Sequence, residues 1–217
     1  MSTDIPPGMK KLSVGGFIPD WLNLEDPDLR EIQAKRLWEK GFGGDPNVLA
    51  KDFWDYLAGI PRISANLLAD DPDLPFLSLA DPRPGLVRSS ALGFIQYGRN
   101  DGDAEQFDRR FLLPATPFWF RHDDGHRNRN RRPYRDWEWF AGDILAGTAM
   151  EGVFSYLHHP TIVKEGVHSV DLPGTVRRGY RSFCARLGVW DARAGLGLDR
   201  NSDDASFFSG PIRVRRK

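Results

Sequence analysis

FLLPATPFWFRHDDGHRNRNRRPYRDWEWF, residues 111–140, sets an aromatic run on each side of a polar segment. Residues 116–121 read as a strand, because bulky rings follow one another just before the charges begin. Residues 106–113 read as a second strand, with Phe107, Phe111 and Leu113 alternating with polar neighbours. Residues 86–97 make a third, and GRNDGD at 98–103 supplies a turn signal. These predict a small antiparallel sheet in the middle of the chain, with the arginine-rich segment mounted at a strand end, where binding loops commonly sit.

Beyond the stretch, residues 136–158 carry Phe140, Ile144, Leu145, Ala149, Val153 and Leu157 at helical spacing before Pro160. Gly142, Gly147 and Gly152 each cost such a helix about 1 kcal/mol relative to alanine, so it needs close packing. A last helix is expected over 175–188, opened by Thr175, closed by Gly188 and striped with Val176, Tyr180, Phe183, Cys184 and Leu187. Before the stretch, Asp26 and Pro27 open a helix that Gly41 closes, and Asp45 and Pro46 open another that ends at Gly59. These two predict an N-terminal helical hairpin. The prolines at 61, 72, 75, 82 and 84 predict surface loop over 61–85, apart from a short helical piece near Ile63 to Leu68. Residues 189–217 are expected to be mostly loop anchored by Phe207 and Phe208. The predicted class is therefore α+β and loop-rich: a helical hairpin, a small central antiparallel sheet and two further helices toward the C-terminus.

A length of 217 residues predicts one domain, with a subdivision at 1–85 and 86–217 as the alternative. Hydrophobic residues at 40% and charged residues at 28% belong to a folded chain rather than a disordered one. The formal net charge of zero conceals a polarity: residues 1–110 hold 13 basic and 18 acidic side chains, net −5, and residues 111–217 hold 17 and 12, net +5. An overall neutral chain is not built for strong nonspecific DNA binding, which favours a component of a larger complex. One cysteine, Cys184, excludes an intramolecular disulfide and predicts a reducing, cytoplasmic setting. No apolar run of about 18 residues is present, so no membrane association is expected.

The polar segment holds Arg121, Arg127, Arg129, Arg131, Arg132 and Arg135 against Asp123 and Asp124, a local charge of +4. Guanidinium groups fork onto phosphate and stack on flat rings, and Trp119, Tyr134 and Trp137 flank them as candidate stacking platforms. Arg177, Arg178 and Arg181 on the expected last helix add a second cluster without a carboxylate, and the RVRRK tail a third. Arginine interleaved with aromatics suits single-stranded nucleic acid; a solvated surface loop has the same composition. His122, Asp124 and His126 form a candidate divalent-metal set, weakened by the turn signal at Gly125. With His168, Arg177 and Arg178 further on, they match the iron facial-triad pattern only loosely. No P-loop, GxSxG, Rossmann glycine pattern or HExxH occurs.

Three function classes follow. The first is a non-enzymatic binding or assembly protein whose arginine and aromatic surface in the C-terminal half contacts nucleic acid or another polyanion, with no cofactor expected. The second is a structural subunit of a macromolecular or viral assembly, with protein partners or self-association. The third is a metal-dependent enzyme using His122, Asp124 and His126.

Overall fold

The computed structural model describes residues 9–11, 17–19, 27–98, 104–106, 112–133, 140, 142–201 and 203–216. In chain order the strands are β1 (Met9–Lys11), β2 (Phe17–Pro19), β3 (Phe76–Ala80), β4 (Gln96–Tyr97), β5 (Ala104–Gln106), β6 (Phe118–His122), β7 (Leu145–Ala146), β8 (Ser169–Arg177), β9 (Tyr180–Trp190), β10 (Arg193–Asn201), β11 (Ser209–Pro211) and β12 (Arg213–Arg215). The helices are α1 (Pro27–Glu39), α2 (Phe53–Ala58), α3 (Ala65–Leu68), α4 (Leu86–Leu92) and α5 (Ala149–His158).

Strands dominate. A six-stranded sheet runs β11-β8-β9-β10-β4, with β5 also pairing β8, and a four-stranded sheet runs β3-β6-β12-β7. β1 and β2 form a separate antiparallel pair. Helix α5 packs against β3 of one sheet and β8 and β9 of the other. It is therefore buried nearly all round, with Val153 and Phe154 in the core and Glu151, Ser155 and His158 as a buried polar stripe. Gly152 lets it approach the larger sheet, since a Cβ there would lie 2.5 Å from Leu172.

This architecture corrects the expected small central sheet and C-terminal helices. Residues 175–188 belong to β8 and β9, joined at Gly179, whose φ of +76° turns the chain. Their apolar spacing fits a helix as well as a strand, and only pairing partners separate the two. Thr175 does accept a helix N-terminal amide, but that of Ala149 at 2.9 Å, across the sheet interface. The long helix expected over 136–158 is α5 alone; Thr148 starts it with a capping box closed by Glu151, and Leu145–Ala146 is strand. Residues 136–139 and 141 of that prediction lie outside the described residues.

Residues 86–97 form α4 and the short β4 rather than a strand. The helix expected from Asp45 begins only at Phe53, because Leu49 adopts a φ of +53° and breaks the turn. The expected loop at 61–85 contains β3, and the expected C-terminal loop supplies β10, β11 and β12. Of the strand expected over 106–113, residues 107–111 lie outside the described residues; Gln106 ends β5, and Leu112 and Leu113 belong to no strand. Among the described residues no helix is long and apolar enough to cross a membrane.

One edge of the four-stranded sheet is closed by side chains. On β3, Leu79 N–H donates to Gln33 Oε1 at 2.7 Å, and Gln33 Nε2 donates to the Leu77 carbonyl at 2.8 Å. The amide of α1 thus stands in for a neighbouring strand. His158 Nε2 donates to the Leu79 carbonyl at 2.9 Å and His159 Nε2 to that of Leu77 at 3.2 Å. An edge satisfied in this way offers no template for another chain.

The β9-β10 connection has only Asp191 and Ala192 at its tip, both with positive φ, 50° and 57°. Two-residue hairpins require that conformation, and glycine normally takes the second place. Ala192→Gly is accordingly expected to stabilise the protein by about 1 kcal/mol. Thermal unfolding should shift upward by roughly 2–4 °C; an unchanged or lower midpoint contradicts this.

Candidate functional site

The segment after β6 is held by its own carboxylate. Asp123 Oδ1 accepts from Gly125 N–H and Arg213 N–H, and Oδ2 accepts from Asn128 Nδ2 and Arg213 Nε, both at 2.8 Å. Asn128 Nδ2 also donates to the Pro211 carbonyl at 2.7 Å. Gly125 makes this approach feasible, since its φ is +69° and a Cβ there would lie 2.4 Å from the Gly210 oxygen. Further on, Asn130 N–H donates to the Ser206 carbonyl at 2.9 Å. The arginine-rich segment therefore lies alongside residues 206–211.

Arg129 extends the contact. Its Nε donates to His168 Nδ1 at 3.2 Å and its Nη2 to the Val167 carbonyl at 2.8 Å. His168 Nε2 in turn donates to the Asp124 carbonyl at 2.7 Å, which fixes a neutral imidazole with its proton on Nε2. Burial lowers the His168 pKa, the Asp124 carbonyl opposes that, and the Arg129 cation adds to it. The His126 ring lies 5.3 Å from that of His168.

His168 and Val167 line an open cleft of about 530 Å³, together with Lys164, Glu165, Arg186, Trp190 and Phe208 among others. Trp190 is 43% exposed and Phe208 65%. The Trp190 indole lies across the sheet: a Cβ added at Gly188 or at Gly195 would sit 2.9 Å from ring carbons. Two glycines, paired across β9 and β10, thus form a bed that lets the ring lie down. The Arg186 guanidinium is 5.3 Å from the ring centroid, within cation–π range, and pairs with Asp199 at 3.5 Å.

The remaining predicted residues divide. Arg127, Arg131 and Arg132 are exposed on the same segment as Arg129, with Arg127 3.9 Å from Asp73. Arg121 is buried and donates to the Leu67 and Leu74 carbonyls at 2.6 and 3.0 Å. Trp119 is buried too, its Nε1 donating to the Pro61 carbonyl at 2.8 Å. Arg177 and Arg178 are exposed at the β8-β9 turn, with Arg177 5.2 Å from the Tyr180 ring centroid. β8 carries them roughly 25 Å from Ser169 at the cleft, at about 3.3 Å per residue. The basic tail is paired: Arg213 with Asp123, Arg215 with Asp71 and Asp143, and Arg216 with Glu151. Tyr134, Arg135, Trp137 and the side chain of Arg181 lie outside the described residues.

The structure also separates the candidate metal ligands. His122 is fully buried on β6, its Nδ1 donating to the Asp123 carbonyl and its Nε2 2.9 Å from Ser78 Oγ. His126 is exposed beside His168, and the Asp124 carboxylate accepts from the His126 backbone N–H at 2.9 Å. Among the described residues no group of three or more His, Cys, Asp or Glu side chains could hold a metal ion. The Ser78–His122 pair has the spacing of a nucleophile and its base, but both residues are fully buried, so no substrate reaches them.

The sequence missed Trp190, Phe208, Gly188 and Gly195 as a site. Its only signals were a tryptophan near two glycines in a segment rich in β-formers, and a Phe–Phe pair in an apparent loop. No protein-family model, curated protein or solved structure matches the chain.

Proposed function

We propose that this chain is a binding protein, without chemistry of its own, whose arginine and aromatic surface in the C-terminal half contacts a polyanion within a larger complex. The observation that carries this reading is Arg129, hydrogen-bonded to His168 and Val167 at the rim of the Trp190 cleft. It joins the segment of Arg127, Arg131 and Arg132 to an aromatic wall. Lys164 and Arg186 add positive charge there, against Glu165 and Asp191. Trp190 and Phe208 take the stacking role expected of Trp119, while the tail arginines serve the fold.

Fluorescent single-stranded RNA and DNA are expected to bind at about 50 mM salt and to weaken steeply as salt rises. Replacing Arg129, Arg131 and Arg132 together by alanine should flatten the log–log salt slope by about 2, at roughly 0.7 per phosphate contact on single strands. Absence of binding at low salt overturns the reading.

Exposed Phe94, Leu49 and Trp54 support a second reading as an assembly subunit, since Phe94 is 84% exposed in a left-handed conformation. That reading fails if the protein purified from its native source is a monomer with no partner.

A further inference from the structure

We propose that the cleft at Trp190 takes a single unstacked nucleobase, which makes the polyanion a single-stranded nucleic acid. This rests on the polyanion reading above and specifies the ligand of the same site. The first support is the platform. Trp190 is backed by the Gly188 and Gly195 backbone, where added Cβ atoms would lie 2.9 Å from the ring, yet it remains 43% exposed. A ring flattened against a sheet and still open to solvent is a stacking surface, and stacking on an aromatic side chain tolerates any base. Phe208 lines the same cleft, which at about 530 Å³ is of small-molecule rather than macromolecular size.

The second support is the charge around the platform. Arg186 sits 5.3 Å from the indole centroid, Lys164 lines the cleft, and Arg129 is fixed at its rim by His168 and Val167. A base in the cleft brings its own phosphates to this rim. Glu165, Asp191 and Ser169, also in the lining, supply acceptors and a hydroxyl for a base edge. A neutral sugar ring would cover the same indole but bring no anion to Lys164 and Arg129, so these two cations favour the nucleotide, Arg186 being already paired with Asp199.

Three ten-unit probes separate the possibilities: a deoxyadenosine oligomer, the same backbone without bases, and a neutral oligosaccharide. The deoxyadenosine oligomer is expected to bind at least about fivefold tighter than its abasic counterpart, the increment of one stacked base. Trp190→Ala should abolish that difference. Gly195→Ala keeps the indole but lifts it from its bed, and is expected to reduce the same difference; it serves as the test if Trp190→Ala fails to fold. Equal binding of the two oligomers overturns the one-base cleft and leaves the polyanion reading standing. Failure of both to bind removes the polyanion reading and the base cleft with it. Quenching of Trp190 by the oligosaccharide alone overturns the proposal in favour of a glycan site.

Discussion

Between pH 7 and pH 5 the protein is expected to lose stability on the order of 5 kcal/mol, a third or more of what a domain ordinarily possesses. The cause is three histidines held neutral at the core beside β3. Burial is the main reason that the His122 pKa falls to about 3 and the His159 pKa to about 4, and it also sets His158 well below its ordinary value. The rings crowd one another, with His122 and His159 centroids 5.6 Å apart, so a charge on one opposes a charge on the next. In the unfolded chain each titrates near 6.5. Because the folded values lie below the unfolded one, the stability is fully present above pH 6.5 and is lost as pH falls from there toward the folded values. Each neutral histidine contributes a slope of up to about 1.4 kcal/mol per pH unit.

Asp123 and Asp171 act with the opposite sign. Burial raises their pKa despite the partners Arg213 and Arg200, so they bind protons more readily folded than unfolded. Their effect sets in as pH falls toward their raised folded values and offsets part of the histidine loss, which begins at pH 6.5 and runs through pH 5. Urea unfolding at half-unit steps of pH should show a slope of two to three protons there. A midpoint unchanged from pH 7 to pH 5 contradicts the neutral-core account.

Glu151→Ala is expected to destabilise the protein by about 4 kcal/mol. The Glu151 carboxylate is fully buried and accepts from Thr148 N–H at 2.9 Å, Thr148 Oγ1 at 2.8 Å, and Arg216 Nε and Nη2 at 2.8 and 3.1 Å. One side chain therefore closes the capping box of α5 and fixes the chain just after β12. Its removal leaves a largely buried guanidinium without a carboxylate, the costly way to break such a pair. The melting temperature should fall by roughly 8–16 °C. Arg216→Ala alone is also destabilising, and the double variant should cost less than the sum of the single ones, because both remove the same interaction. Additive losses would show that the pair does not couple α5 to the C-terminal strand.

The pairing of Arg216 with Glu151 shows why the tail misled. RVRRK carries the composition of a solvated basic patch. The carboxylates that meet it, Asp71, Asp123, Asp143 and Glu151, are scattered through the preceding chain, and no local pattern announces them. Trp190 illustrates the reverse case. Gly188 has the sequence signature of a helix stop, yet its lack of a side chain serves a ring two residues away on a strand.

Helix α1 was legible in its own residues: Pro27 at its first position and Gly41 beyond its end, with a φ of +90°, are where the punctuation puts them. Residues 116–121 likewise announced β6, while of the polar run that follows Arg127, Arg131 and Arg132 are exposed and Asp123 and Asn128 are buried. Helical hydrogen bonds close within four residues, so the signals that start and stop them are local. The two sheets depend on partners far along the chain, such as Pro211 beside Asp171 and Arg215 beside Arg121. Until those strands meet, the apolar spacing of residues 175–188 fits helix and strand alike, and only pairing decides between them. The same long-range closure turned the tail arginines into structural clamps and laid Trp190 on its glycines, because burial and ion pairing are properties of neighbours in space.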